Sequence, residues 1–174
     1  MNSNSNTFHF FLRRLPGPLK SMLFSFVMLQ TIAVGLGIVY IYHNTHMSGE
    51  GISRQYGGQQ ESSDDDFEIE ETYAKPLAEM LITTHNHLFG FAFIFLFTGT
   101  LFYFSAFPLP RLKVFLLTEP FITVLFTFGG LWLVRFFSTA FSILVIFFST
   151  LTYVSYFIMA FYIARELLRL PENK

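Results

Sequence analysis

Two close pairs of histidines are the side chains in this sequence best suited to bind a metal or a haem. His43 and His46 follow the first long apolar run, and His85 and His87 open the second. Imidazole is the commonest metal ligand in proteins and also ligates haem iron. Because an antiparallel helix pair brings the end of one run beside the start of the next, we expect all four rings at one membrane face.

The spacing within each pair limits which rings can share a site. Residues three apart share a helix face, so His43 and His46 act together if the first helix continues to Met47. Residues two apart lie about 200° apart around a helix, so His85 and His87 diverge. We therefore expect one ring of the second pair to join one or both rings of the first. Three imidazoles would bind copper or zinc, and two on opposite sides of a cleft would ligate a b-type haem.

Two charged residues are candidate partners of these rings. Glu79 precedes the second pair and is a candidate metal ligand, or a carboxylate that orients a ligating imidazole. Arg135 ends the third apolar run, where it would either bind a haem propionate or anchor the helix end at the interface. Two simpler interpretations of the histidines stay open, namely a proton relay and placement among lipid headgroups without a ligand.

The composition is that of an integral membrane protein. Hydrophobic residues make up 52% of the chain and charged residues 13%, against about 25% charged in average soluble chains. Four runs reach the roughly 20 apolar residues that a spanning helix needs. The absence of cysteine excludes disulfides, thiolate metal sites and iron–sulfur clusters. The sequence therefore predicts an all-α membrane protein, a four-transmembrane-helix antiparallel bundle with an acidic outer loop between its first two spanning helices.

The basic residues predict the orientation of this bundle. Eight of the eleven lie near the chain termini or at the joint between the second and third runs, which share one side of the membrane. The positive-inside rule makes that side the cytoplasm, so both termini are expected there. The predicted segments are a cytoplasmic N-terminal segment at 1–20, spanning helices at 21–42, 81–107, 112–134 and 139–164, an outer, periplasmic loop at 43–80 and a cytoplasmic tail at 165–174.

The predicted outer loop is strongly acidic. It carries nine acidic residues against Arg54 and Lys75, a net charge of −7. Its centre is rich in Gly, Gln, Ser and Asp, a composition typical of mobile segments. Such a loop would dock a basic periplasmic protein, and the bundle would contact other membrane subunits.

The spanning runs contain two further features. Glu119 lies inside the third run, directly before Pro120, at a depth where an ionisable group is costly and is a functional candidate by default. It would line a polar path, pair with a basic residue near the cytoplasmic entry, or stabilise the kink that Pro120 predicts. Glycines of the spanning runs, among them Gly37, Gly90 and Gly130, predict close helix contacts.

The segment that opens the second helix resembles a known group of proteins. It reads K-P-L-A-E-M-L from residue 75 and T-H-N-H-L-F from residue 84. This is similar to small uncharacterised bacterial membrane proteins with four predicted helices and a K-x-x-x-E-(L/M)-L-x-x-T-H-x-H-L-F element. The resemblance implies a location in the bacterial inner membrane and makes Lys75, Glu79, His85 and His87 one unit. It leaves the first histidine pair outside that unit and implies no particular activity.

Taken together, these features favour an inner-membrane protein with a His-based metal or b-type haem site at its periplasmic face. Its setting would be electron transfer, respiratory assembly or metal handling. The alternatives are a non-catalytic accessory or structural subunit of a larger membrane complex and a small proton-coupled transporter that uses Glu119. An enzyme is the least favoured class, because the sequence has no nucleophile and base in a recognisable arrangement. It also has no phosphate-binding or nucleic-acid-binding motif.

Overall fold

The computed structural model describes residues 12–58 and 73–169. Within these residues all regular structure is helical, which confirms the predicted all-α fold. The four long helices contain 27 to 29 residues, so each is about 40 Å long and can cross a membrane. The helices are α1 (Gly17–Thr45), α2 (Gly49–Gly57), α3 (Leu77–Tyr103), α4 (Pro110–Phe136) and α5 (Ser142–Leu168), with 3₁₀ turns at Leu12–Arg14 and Thr139–Phe141.

Proline marks the start of three of the spanning helices. α1 has Pro18 in its first turn, α4 begins at Pro110, and α3 begins directly after Pro76. Proline suits these positions because the first amides of a helix have no acceptor within the helix. α3 thus begins four residues before the predicted spanning segment of 81–107.

The segment predicted as the outer loop, 43–80, is partly helical. α1 ends at Thr45 because His46 and Met47 adopt φ angles of 48° and 53°, the left-handed conformation that closes a helix. The hydroxyl of Ser48 then accepts a hydrogen bond of 2.9 Å from the amide of Gly51 and caps α2. The acidic centre of the predicted loop, 59–72, lies outside the described residues.

α3 ends at Tyr103, before the predicted boundary at 107. Nζ of Lys113 donates hydrogen bonds of 2.7 Å to the carbonyl oxygens of both Tyr103 and Ser105, which satisfies acceptors that the end of the helix leaves free. The amide of Ala106 then donates to Oε1 of Glu166 at 2.6 Å. The joint between α3 and α4 is therefore attached to both α4 and α5.

α4 and α5 form the most closely packed helix pair. A Cβ on Gly130 would lie 2.9 Å from Cγ2 of Val145, so this glycine allows the close approach that the sequence predicted there. α3 packs against both helices, whereas α1 packs along α5. Nε2 of Gln30 on α1 reaches Oγ1 of Thr98 on α3 at 2.8 Å. From this contact toward α2, the two helices leave space between them.

α2 lies across one end of the bundle, which we call the α2 end. It packs against α1, α4 and α5. The amide of Lys75 donates to the carbonyl oxygen of Tyr56 at 3.3 Å, and Nε of Arg135 donates to the carbonyl oxygen of Lys75 at 2.8 Å. These bonds connect α2, the start of α3 and the end of α4.

Candidate functional site

A cavity of about 610 Å³ lies between the spanning helices beneath α2. Its volume falls within the range of roughly 300 to 1,000 Å³ that is typical of small-molecule sites. All five helices contribute to its walls. On α1 the lining extends from Ala33 to Thr45, which is about 18 Å of helix. The cavity is therefore elongated along the bundle and reaches from the α2 end into the spanning region.

One face of α3 forms a wall of this cavity. The lining positions recur every three or four residues, as expected for one side of a helix. They include Lys75, Glu79 and His87, three of the four residues that the sequence resemblance grouped together, whereas His85 is not part of the lining. The complete wall consists of Lys75, which precedes α3, and of the α3 residues Glu79, Thr83, Asn86, His87, Gly90, Phe91 and Ile94.

The wall that α1 contributes was not predicted from the sequence. A spanning helix is apolar on every side, so its periodicity does not reveal which face borders a cavity. The signal available was a row of small and polar residues at helical spacing. The lining residues of α1 are Ala33, Val34, Gly37, Tyr40, Ile41, Asn44 and Thr45.

Two glycines keep the cavity wide. A Cβ built on Gly37 or on Gly90 would meet no atom within 4 Å, so the close helix contacts predicted at these positions are wrong. Tyr40, His87 and Gly90 line the cavity and yet are exposed. Because these residues lie on α1 and α3, the cavity opens sideways between those two helices.

An ion pair lies at the α2 end of the cavity. Nζ of Lys75 is 2.7 Å from Oε1 of Glu79 and 5.0 Å from the ring centroid of Tyr56. Burial lowers the pKa of Lys75, but the hydrogen bond that its ammonium donates to Glu79 and the neighbouring Tyr56 raise that pKa, and the net pKa is raised. Burial also raises the pKa of the Tyr56 phenol. This end therefore presents a compensated ion pair and a neutral phenol.

His87 is the histidine that faces the cavity. Its Nδ1 lies 2.8 Å from the carbonyl oxygen of Thr83. Since a carbonyl only accepts hydrogen bonds, Nδ1 carries the proton and Nε2 of the neutral ring is left as an acceptor. The ring centroid lies 5.2 Å from that of Phe128 and 6.3 Å from that of Phe91. His87 thus offers a nitrogen lone pair beside aromatic walls.

The other three described histidines point elsewhere. His85 is exposed and packs beside Phe89, with 5.3 Å between the ring centroids, so the predicted divergence from His87 is confirmed. His43 is exposed on the last turn of α1. His46 lies past the helix end in the left-handed conformation. The sequence predicted a face shared with His43 only if the first helix continued to Met47, and α1 ends at Thr45.

These positions bear on the predicted metal centre. Among residues 12–58 and 73–169, no group of three or more His, Cys, Asp or Glu side chains is placed to hold a metal ion. The physical reason is the end of α1 at Thr45 together with the opposite directions of the second histidine pair. Glu79 instead pairs with Lys75. Haem binding, which requires fewer protein ligands, stays a prediction.

Glu119 and Arg135 both have protein partners. Oε2 of Glu119 accepts a hydrogen bond of 2.6 Å from the hydroxyl of Ser155, and both residues are buried. One turn along α4, Oγ1 of Thr123 accepts a hydrogen bond of 2.8 Å from Oγ1 of Thr152. Nε of Arg135 donates a hydrogen bond to the carbonyl oxygen of Lys75, and its guanidinium carbon lies 5.0 Å from the ring centroid of Phe136. Its observed contacts are therefore those of a helix-end residue that fixes the start of α3.

The four long apolar helices define an integral membrane protein, and its helices border an elongated cavity. Residues 46–174 match the family model Aq_1264_TM, which is described as a transmembrane helical domain. The matched region is most of the chain, so the protein belongs to this family of transmembrane helical domains. No curated protein and no solved structure matches the chain.

Proposed function

We propose that this protein binds an amphiphilic small molecule taken up from the surrounding membrane, without catalysing a reaction. The observation that carries the proposal is the cavity itself, elongated along the bundle and open sideways between α1 and α3. A membrane-dissolved molecule can enter a site of this kind without leaving the lipid. A non-catalytic role agrees with an accessory or structural subunit of a larger membrane complex, which is one of the alternatives that the sequence suggested.

The two ends of the cavity suit the two parts of an amphiphile. Toward α2 the lining contains the Lys75–Glu79 pair and the polar residues Asn44 and Gln55. Farther into the bundle the lining contains aliphatic side chains that favour a hydrocarbon tail, namely Val34, Ile94 and Val124, together with the hydroxyl residues Thr127, Ser149 and Thr152. Polar groups grouped at one end of an apolar site fix the orientation of a ligand, here with its headgroup near the membrane surface.

We further propose that the α2 end faces the periplasm of a bacterial inner membrane. The distribution of basic residues supports this orientation, since Arg111, Lys113, Arg165 and Arg169 all lie at the opposite end of the bundle. The ligand would then come from the outer leaflet.

A pair of glycine variants tests the proposal. Gly37 and Gly35 are both on α1, and a Cβ on either would meet no atom within 4 Å, but Gly37 lines the cavity and Gly35 does not. The two Gly→Leu substitutions therefore change helix propensity and exposed apolar area alike. The variants are purified in mild detergent and the small molecules that co-purify are extracted and identified by mass spectrometry.

We expect an amphiphile to co-purify with the wild-type chain and with Gly35→Leu, and to be severalfold less abundant in Gly37→Leu. Equal retention by all three proteins, or an extract that contains only bulk lipid in each, would overturn the proposal. Thermal unfolding of each variant in the same detergent establishes that the proteins compared are folded.

A second candidate ligand is a b-type haem with His87 as its protein ligand. The specific observation in its favour is the hydrogen bond from Nδ1 to the carbonyl of Thr83, which orients the ring and leaves Nε2 for iron. An absorption spectrum with and without dithionite, after expression with excess haem precursor, tests this candidate. A Soret band that His87→Ala removes and His85→Ala retains is the expected result. A colourless wild-type preparation would exclude it, and elemental analysis of the same sample tests for copper and zinc.

Transport of protons through Glu119 has weaker support. The buried hydroxyl of Ser155 donates to Glu119. One turn along α4, Thr123 accepts from Thr152, which lines the cavity. A Glu119→Gln variant that retains the acceptor oxygen but abolishes proton-coupled uptake in vesicles would support this role.

A further inference from the structure

We infer that the molecule bound in the cavity carries a hydroxyl group on an aromatic ring, as a quinol or another phenol with a hydrocarbon tail does. The inference rests on the proposed function and narrows it to a ligand class. It is carried by the hydrogen bond of His87, the charge balance at the α2 end and the aromatic residues around His87.

The charges at the α2 end of the cavity are paired with each other. Nζ of Lys75 and Oε1 of Glu79 are 2.7 Å apart, and the Lys75 ammonium also lies over the ring of Tyr56. The opposite charges that line this end of the cavity are therefore matched to each other. A phosphate beside Lys75 would also meet the like charge of Glu79, and an ammonium beside Glu79 would meet that of Lys75, so neither headgroup gains an unpaired opposite charge for the hydration it loses. A neutral polar headgroup avoids both costs.

The hydrogen bond of His87 limits which ligand groups its ring can bind. Because Nδ1 of His87 donates to the carbonyl of Thr83, Nε2 of the neutral ring can only accept. A neutral ligand group that meets Nε2 must therefore be a donor. A hydroxyl satisfies this condition, whereas a ketone, an ester or an ether does not. The headgroup is thus a neutral donor, and among groups with a single oxygen atom it is an alcohol or a phenol.

A cluster of aromatic rings lines the cavity around His87. Phe91 contacts Phe128 at 6.2 Å and Tyr153 at 6.5 Å between ring centroids, and all three line the cavity together with His87. Rings at these separations have geometries favourable for aromatic packing, and a planar ligand ring would extend the cluster. A phenol fits this environment better than an aliphatic alcohol, and the aliphatic walls deeper in the bundle accept its tail.

The test compares two probes that differ only in the hydroxyl, 4-nonylphenol and nonylbenzene. Their affinities for the purified chain in mild detergent are measured by calorimetric titration. The variants are His87→Phe, which keeps a ring but removes the acceptor, and the matched control His85→Phe on the same helix outside the cavity lining. We expect 4-nonylphenol to bind the wild-type chain and His85→Phe on the order of tenfold more tightly than nonylbenzene. In His87→Phe this ratio should fall close to one.

A measurement without a variant covers the case in which His87→Phe does not fold. In the ¹⁵N-histidine spectrum of the wild-type chain, 4-nonylphenol should shift the Nε2 resonance of one Nδ1-protonated ring, and nonylbenzene should not. Equal affinities for the two probes, or a preference that His87→Phe retains, would overturn the assignment to phenols. If Gly37→Leu still loses a co-purified amphiphile in that case, the proposed function survives and only the ligand class is wrong. If neither probe binds and Gly37→Leu loses nothing, both fail.

Discussion

The hydroxyl of Ser155 on α5 donates a hydrogen bond of 2.6 Å to Oε2 of Glu119 on α4, and both side chains are buried in the bundle. Both residues belong to the most closely packed helix pair, and the hydrogen bond between Thr152 and Thr123 links the same two helices one turn away. Glu119 is thus part of the packing of the bundle, whatever else it does.

Removal of this bond should destabilise the bundle. Ser155→Ala leaves Oε2 of Glu119 buried without its donor, which should cost about 1–3 kcal/mol of unfolding free energy. Unfolding by graded SDS in mixed micelles measures the loss. Ser25→Ala changes an exposed serine of α1 and should alter the free energy by less than about 0.5 kcal/mol. Equal effects of the two substitutions would show that the bond contributes nothing net.

Adjacent glycines of α4 should respond in opposite directions to alanine. Gly130→Ala places a Cβ 2.9 Å from the stiff Val145 side chain and should destabilise the chain by about 1–3 kcal/mol. Gly129→Ala adds a Cβ with no atom within 4 Å and should stabilise the helix by up to about 1 kcal/mol. The same unfolding assay reports both, and a stabilising Gly130→Ala would contradict the close packing of α4 and α5.

Glu166 should hold the joint between α3 and α4. Its Oε1 accepts from the Ala106 amide at 2.6 Å and lies 3.8 Å from the guanidinium of Arg13. Glu166→Gln retains an acceptor oxygen, whereas Glu166→Leu leaves the amide without a partner. We expect hydrogen exchange at Ala106 to accelerate markedly in Glu166→Leu and only slightly in Glu166→Gln. Equal acceleration of exchange in both variants would show that the effect comes from the lost charge of Glu166 and not from the lost acceptor oxygen.

The α2 end should loosen at alkaline pH. The pKa of Lys75 is raised in the folded chain above its ordinary value of 10.5, so its contribution to stability is complete below that value. The contribution is lost as pH rises through the folded pKa, and the raised pKa of Tyr56 acts in the same direction. Thermal unfolding between about pH 9 and about pH 11.5 should show a steeper alkaline decline for the wild-type chain than for Lys75→Gln. Parallel declines would exclude this linkage.

The orientation can be measured directly because the chain has no cysteine. Glu50→Cys places a thiol on an exposed residue at the α2 end, and Arg169→Cys places one at the opposite end. In intact bacterial cells a membrane-impermeant maleimide should label Glu50→Cys at once and Arg169→Cys only after permeabilisation. The reverse pattern would place the α2 end in the cytoplasm.

Part of the site was accessible from the sequence because α3 begins with a mixed polar and apolar segment. The two-residue spacing of the second histidine pair predicts that only one of its rings can share a face with the other lining residues of α3. Helical geometry alone decides such relationships, since they involve neighbours on a single helix. It does not decide which of His85 and His87 faces inward.

The sequence by itself determined an all-α membrane protein with four spanning helices, because the length and hydrophobicity of each run are properties of the run alone. The tertiary structure decided where the helices separate. Gly130 brings α4 to α5, whereas Gly37 and Gly90 border open space, although all three are glycines in apolar runs. A glycine permits close approach but does not require it, so whether it forms a contact or widens a cavity depends on the helix opposite. Because the helices separate beside Gly37 and Gly90, the predicted cluster of histidines is replaced by a cavity that His87 lines.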